Sequence, residues 1–468
     1  MFLYNFASEN LTVLIMKKLI LLSLCGLGLM ASAQKYEPTW ESIDSRPVPE
    51  WFEQSRFGIF IHWGVYSVPA WATVDKSVTT NPVYSEWYWW QKNTDTSPVG
   101  DATRRYHSEV YGDDFKYQDF AKDFKAERFN PGEWADLIKA SGAKYVVLTS
   151  KHHEGFTLWP SAESWNWNSV DIGPHRDLCG ELSEAVKDRG LHMGFYYSLY
   201  EWYNPIFLND VDRYVDQRML PQLKDLVTRY EPDMVWTDGE WEHPSETWRS
   251  TEFLAWLYNE SPVRDRVVVN DRWGKETRGR HGGFYTTEYD LSDAQAENMA
   301  KNAHPWEECR GIGNSFGYNW AETLDHYSST RDLVVTLIER VSRGGNLLLD
   351  IGPKADGTIP LVMQDRLLGI GRWMDVNGES IYNSHPWTAA ADNKADGVYF
   401  TTVGNDLYVH IAKPCASVKL KGLRKPGKVT VLGDKHSAKL SGSRLILPQS
   451  LQDAVAEMPQ VIKIAGAI

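Results

Sequence analysis

Hydrophobic and polar positions follow two different rhythms along this chain of 468 residues. Up to about residue 385, short apolar runs of strand character alternate with stretches of helical period, the order that builds a parallel sheet. The expected strands are Phe57 to His62, Tyr145 to Ser150, Met193 to Ser198, Met234 to Asp238, Val267 to Asp271, Phe284 to Glu288, Cys309 to Ile312 and Leu347 to Asp350. Eight such repeats are the number that closes a (β/α)8-like TIM barrel, and they favour closure over an open, flavodoxin-like sheet. Helices are expected at Pro131 to Ala140, behind an Asn130 N-cap, and at Glu181 to Asp188, Tyr214 to Tyr230, Arg331 to Arg343 and Leu361 to Val376.

Beyond the last of these the pattern changes to brief β-type runs separated by Gly, Pro, Asn and Asp turns. They lie at Gly397 to Thr402, Asp406 to Ile411, Ser417 to Leu420, Lys428 to Leu432, Arg444 to Leu447 and Gln460 to Ile464, as in an antiparallel β-sandwich. The expected fold class is therefore α/β, with a barrel over 34–385 and a sandwich over 386–468.

The first 33 residues read as an address. Met16-Lys17-Lys18, the apolar run Leu19 to Met30 and Ala31-Ser32-Ala33 have the three regions of a secretory signal, with residues upstream of a start at Met16. The run is too short to span a bilayer as a helix, so the expectation is export to the periplasm or outside, without membrane insertion after cleavage. Lipid anchoring through Cys25 is disfavoured by Leu24, which stands where such signals carry a small residue. Cys179, Cys309 and Cys415 are too few and too scattered for a disulfide framework or a thiolate metal site.

A net charge of −13, spread without long single-sign runs, argues against nucleic acid or an anionic membrane as partner. The 21 Trp and 23 Tyr exceed what packing requires and favour stacking on a neutral sugar.

Two carboxylates stand out. Met234-Val235-Trp236-Thr237-Asp238-Gly239 carries an acid at the end of an apolar strand, and Tyr285-Thr286-Thr287-Glu288-Tyr289 carries another. Hydrolysis of a glycosidic bond needs such a pair, one group to attack the anomeric carbon and one to protonate the departing oxygen. In a barrel, catalytic groups sit at the C-terminal ends of strands. His62, His152, His153, Tyr196, Tyr197, Asp238, Arg272 and Glu288 all occupy or follow strand ends and are expected at one mouth.

Several segments then carry a family resemblance: Gly58-Ile59-Phe60-Ile61-His62-Trp63-Gly64, Tyr84-Ser85-Glu86-Trp87-Tyr88, Lys151-His152-His153-Glu154-Gly155-Phe156, Trp236-Thr237-Asp238-Gly239, Asn270-Asp271-Arg272-Trp273-Gly274, Thr287-Glu288-Tyr289, Arg310 to Tyr318 and Gly344 to Pro353. From about residue 37 to 385 the chain resembles the α-L-fucosidases of glycoside hydrolase family 29. The resemblance implies a barrel followed by a sandwich and a retaining mechanism, with Asp238 as nucleophile and Glu288 as acid/base. It also implies that His62, Glu86, His152, His153, Tyr196 and Arg272 hold the sugar hydroxyls or the nucleophile, and that Trp87, Trp236 and Phe316 form the apolar lining. The acid/base position varies between subgroups of that family, and Glu86, Glu240, Asp290, Glu307 and Glu308 are the other carboxylates near barrel loops open to that role.

The implied substrate is a fucosylated glycan or glycoconjugate, cleaved by double displacement without cofactor or metal. Arg272 and the histidines are expected to favour ionised Asp238, and a dry wall to keep Glu288 protonated. Two other readings are a metal-dependent hydrolase using His62, His152, His153 and Asp238, and a sugar-binding protein without turnover. Against the metal stands the argument that adjacent histidines on a strand point to opposite faces.

Overall fold

The computed structural model describes residues 35–289, 304–387, 397–433 and 437–468. The expected signal segment with Cys25, and Asp290, lie outside the described residues.

Eight parallel strands form the first sheet: β1 Phe57–Ile61, β2 Tyr145–Lys151, β3 His192–Ser198, β4 Met234–Asp238, β5 Val268–Val269, β6 Tyr285–Glu288, β7 Trp306–Gly311 and β8 Asn346–Ile351. Their order is β5-β4-β3-β2-β1-β8-β7-β6, and every neighbouring pair is parallel. The strands curl into a TIM-like barrel whose β5 and β6 edges meet, among the described residues, without a ladder between them. Just beyond the short β5, Phe284 N–H donates to Val269 O and Gly283 N–H to Asn270 O, each at 3.1 Å. The Asp271 carboxylate extends this join, accepting Thr286 N–H at 3.1 Å and Thr286 Oγ1 at 2.7 Å. Two backbone bonds and the Asp271 side chain thus join the barrel where the regular ladders end.

Alternation along each strand divides the apolar residues between two cores. Phe60, Tyr145, Val147, Tyr196, Met234, Trp236, Cys309 and Leu348 fill the barrel interior. Ile59, Ile61, Val146, Leu148, Phe195, Tyr197, Val235 and Leu349 face the surrounding helices. The interior is tight at Gly58, where a Cβ would lie 2.3 Å from the Tyr145 ring.

The expected helices are present at Pro131–Ala140, Leu178–Asp188, Thr330–Ser342 and Leu361–Asn377. Asn130 caps the first, its Oδ1 accepting Glu133 N–H at 3.2 Å. The expected helix from Tyr214 to Tyr230 is instead Val211–Tyr214, a π-helical turn Val215–Met219 and Leu220–Tyr230. Pro221 explains the change: it has no N–H for the preceding turn and its ring crowds that turn, which widens.

Two antiparallel sheets follow. One has the order β13-β16-β11-β10-β9, from Val429–Val431, Gln460–Ile464, Asp406–Ile411, Val398–Val403 and His385–Pro386. The other is β12-β15-β14, from Ser417–Lys419, Arg444–Ile446 and Lys439–Ser441. They enclose Phe400, Leu407, Val409, Val418 and Leu445, together with Leu451 and Val455 of the helix Gln449–Glu457. That helix, β9 and β14 are absent from the sequence reading; each is short, and β9 consists of only His385 and Pro386. No helix among the described residues is long and apolar enough to cross a membrane.

Candidate active site

The period of two that places Met234 and Trp236 inside the barrel carries Asp238, at the last position of β4, into the mouth. The same parity presents His62 just beyond β1 and Glu288 at the end of β6. A cavity of about 90 Å³ opens there, lined by His62, Glu86, Trp87, His152, His153, Tyr196, Trp236, Asp238, Arg272, Glu288 and Phe316. Every candidate catalytic and sugar-holding residue of the sequence reading is among them. Phe60, Tyr84, Trp241 and Cys309 complete the wall.

Asp238 is 8 % exposed and both of its oxygens are held. Arg272 Nη1 donates to Oδ1 at 2.8 Å and Tyr196 Oη to Oδ2 at 3.0 Å, while Arg278 Nη2 stands 3.5 Å from Oδ1. Burial by itself would raise this carboxyl, but Arg272, with Arg278 beside it, outweighs burial and holds the group below the usual carboxylate range. The expected ionised Asp238 thus rests on arginine, while burial lowers His62 and His153 out of the charged form, against the expectation that the histidines contribute.

Arg272 also organises the second acid. Its Nη2 lies 2.5 Å from Glu288 Oε1, its Nε donates to Thr286 Oγ1 at 2.9 Å, and its Cζ stacks 4.4 Å from the Trp236 ring centroid. One guanidinium therefore joins both carboxylates across the β5/β6 seam. Among the described residues the dry wall expected around Glu288 is absent: its side chain is 37 % exposed and paired with a cation. Strand alternation alone does not reveal this exposure.

The histidines correct a second expectation. Strand β2 ends at Lys151, so His152 and His153 lie in the turn beyond it and both line the cavity, their ring centroids 4.1 Å apart. Ser198 Oγ donates to Tyr200 O at 2.7 Å and therefore accepts from His153 Nδ1, also at 2.7 Å. Burial lowers the His153 imidazole well below its ordinary value, which leaves Nε2 as a lone-pair acceptor 3.8 Å from Asp238 Oδ2. His62 is likewise lowered by burial, and its Nδ1 meets Asp350 Oδ1 at 2.6 Å. Among the described residues, no group of three or more His, Cys, Asp and Glu is placed to hold a metal ion.

Glu86, in the 3-10 turn Ser85–Trp87, is fixed through Oε2, which accepts Gly317 N–H at 2.8 Å and Ser315 Oγ at 3.2 Å. Trp87 packs edge-on against His153 and stacks with Trp241, and Phe316 packs against His62, Tyr84 and Tyr289. Tyr197 does not reach the mouth: it faces the helices and donates to Gln222 Oε1 at 2.8 Å, as strict alternation beside Tyr196 requires.

Of the other carboxylates, Glu307 sits inside the barrel behind Trp236, accepting from Tyr145 Oη at 2.5 Å and Trp236 Nε1 at 3.1 Å. Burial pushes it up to about 7. Glu308 faces outward to Arg340 at 2.6 Å. Glu240 is buried against Arg278 at 2.5 Å and does not line the cavity. The sequence reading missed Arg278, Asp350 and Trp241. Trp241, three residues past Asp238 in an aromatic-flanked turn, carries a signal that could have found it, whereas Arg278 lies in an aperiodic loop.

Comparison with known proteins adds an independent line. The family model described as Alpha-L-fucosidase matches residues 24–379. The chain is 49 % identical over 396 residues to an alpha-L-fucosidase of Dictyostelium discoideum, covering 83 % of this chain and 82 % of the relative. It is 43 % identical over 472 residues to the tissue alpha-L-fucosidase of Homo sapiens, covering 96 % and 97 %. The crystal structure of Thermotoga maritima alpha-fucosidase in complex with fucose superposes with a TM-score of 0.76 at 38 % identity, over 92 % of this chain and 100 % of that one.

Proposed function

The chain belongs to the α-L-fucosidase family, glycoside hydrolase family 29, and from that premise we propose that Asp238 is its nucleophile and Glu288 its acid/base. The protein is a retaining exo-α-L-fucosidase that removes terminal α-L-fucosyl residues from fucosylated glycans.

The observation that carries the assignment is the sharing of Arg272 by the two carboxylates. In the first step Asp238 attacks the anomeric carbon and becomes a neutral ester, while Glu288 passes its proton to the leaving oxygen and becomes an anion. One negative charge thus moves from one side of the Arg272 guanidinium to the other. In the second step water gives a proton to Glu288 and its oxygen to the sugar, and the charge returns to Asp238. A fixed cation contacting both groups balances the charge at either end of this path without reorganising. The exposure of Glu288 fits its role, since the departing group and the incoming water must both reach it.

The neutral His153, with His62, His152, Glu86 and Tyr196, offers the acceptors and donors that sugar hydroxyls need. Phe316, with Phe60 and Tyr84, supplies an apolar face for the C6 methyl of a 6-deoxy sugar. A hydroxymethyl there would be desolvated without a partner, at a cost of about 1 to 3 kcal/mol. We also place the mature enzyme outside the cytoplasm, on the strength of the segment Met16 to Ala33; N-terminal sequencing of exported protein tests this and should begin at Gln34.

The assignment is tested by azide. Asp238→Gly should lose turnover of an aryl α-fucoside and, with azide, form the β-fucosyl azide. Glu288→Ala should retain turnover of substrates with good leaving groups and form the α-fucosyl azide. Azide products of the opposite anomeric form, or full activity of either variant, would overturn the roles.

A further inference from the structure

Behind the histidine turn lies an ion cluster that the reaction does not use. Lys151, the last residue of β2, is fully buried; its Nζ donates to Glu201 Oε1 at 2.8 Å and Tyr214 Oη at 3.1 Å, and lies 4.1 Å from the Tyr197 ring centroid. Glu201 Oε1 accepts a further bond from Arg218 Nε at 2.9 Å, and its Oε2 accepts Asn204 Nδ2 at 2.7 Å. Arg218 Nη1 also donates to Glu163 O.

Two local irregularities meet at this point. The pairing of β2 with β3 shifts register between Thr149 and Lys151, leaving Ser150 as the extra residue, and Arg218 comes from the π-helical turn. Bulges and π turns re-aim side chains and cluster beside functional sites. Here they turn Lys151 and Arg218 onto one carboxylate.

That carboxylate packs directly on the turn carrying His152 and His153. A Cβ at Gly155, whose φ is +78°, would lie 2.7 Å from Glu201 Oε2. The next residue, Trp202, donates its N–H to His153 O at 2.8 Å and packs its ring 5.3 Å from the His153 ring. The segments that follow β2 and β3 are therefore held together by buried charge on one side and by the histidine on the other.

We propose that Lys151, acting through Glu201 and Arg218, is a positioning residue for His153, fixing the turn so that the imidazole meets the sugar beside Asp238. This rests on the reading of His153 as a sugar-holding residue. A buried charge of purely structural use would affect stability without a specific effect on the sugar site. Small displacements of positioned groups cost affinity and rate steeply.

The test is a double-mutant cycle on L-fucose affinity, measured by calorimetry on the full chain. His153→Ala should weaken binding at least tenfold. Lys151→Met should weaken it by roughly tenfold in the parent and by less than twofold in the His153→Ala background, because the group it positions is already gone. Equal losses in both backgrounds, or unchanged affinity in Lys151→Met, would overturn the positioning role while leaving the sugar site standing. Unchanged affinity in His153→Ala would remove both readings. Should Lys151→Met fail to fold, Arg218→Lys carries the same cycle: it keeps the charge but cannot hold Glu201 and Glu163 O together, and the same outcomes decide.

Discussion

Replacing Arg272 by Met probes the charge balance at the centre of the site. The side chain is fully buried over Trp236, and methionine keeps much of its apolar bulk while removing the hydrogen bond to Asp238 at 2.8 Å and the ion pair with Glu288 at 2.5 Å. A hydrogen bond to a charged group contributes about 1.5 to 3 kcal/mol. Each pKa unit corresponds to about 1.4 kcal/mol, so loss of the Asp238 contact should move that carboxyl up by about one to two units. The direction follows from the environment: burial pushes Asp238 up, and Arg272 is the largest force opposing it. The nucleophile is active when ionised, so activity exists above its pKa and is lost as pH falls through it. In Arg272→Met the acid limb of kcat/KM should therefore shift to higher pH, with the plateau lower by about 10- to 150-fold. The assay is the pH profile of kcat/KM for an aryl α-fucoside. Arg278→Met is the control, because Arg278 stands 3.5 Å from Asp238 and is 39 % exposed; it should cost less than about threefold. An acid limb that stays in place or moves down in Arg272→Met, or a larger loss in Arg278→Met, would refute the reasoning.

Three further outcomes are expected. Phe316→Ala should lower the ratio of kcat/KM for α-L-fucoside over α-L-galactoside by about 5- to 150-fold, since the apolar wall that rejects a hydroxymethyl is removed; competition kinetics with the two sugars measures it. Glu240→Gln should keep the dependence on leaving group of the parent enzyme, because this carboxylate is buried against Arg278 outside the cavity, whereas Glu288→Ala should steepen it; a series of aryl fucosides separates them. His410, enclosed in the C-terminal sheets with Nε2 2.8 Å from Thr401 Oγ1, is lowered by burial to about 3. The unfolded chain takes up this proton near pH 6.5 and the folded one only near 3, so stability falls as pH drops through that window. His410→Gln should reduce the loss between pH 7 and 4.5 by about 2 to 3 kcal/mol, read from urea midpoints.

The parts of this molecule that follow from local rules are visible in its amino-acid order. The helix at Pro131–Ala140 follows from Asn130 and Pro131, and the interior placement of Trp236 and Asp238 follows from the parity of one apolar strand. What depended on the meeting of distant segments was hidden. Glu288 is 37 % exposed beside the β5/β6 seam, yet nothing within Tyr285 to Glu288 signals that β5 ends short of it. The turn that brings His152 and His153 to the same side begins where a register shift ends β2, and the π-helical turn depends on where Pro221 falls within a longer helix. Arg278 is delivered by a loop without periodicity, and Asp350 is identified as the partner of His62 only once β8 is seen beside β1.

The central claim is that a covalent fucosyl-enzyme forms on Asp238. Incubation with a 2-deoxy-2-fluoro-α-L-fucosyl donor bearing a good leaving group, followed by proteolysis and mass spectrometry, tests it directly. The account predicts one fluorofucosyl group per chain, on the peptide containing Trp236-Thr237-Asp238-Gly239 and attached to Asp238. Attachment to Glu240, Glu288 or any other residue would contradict it.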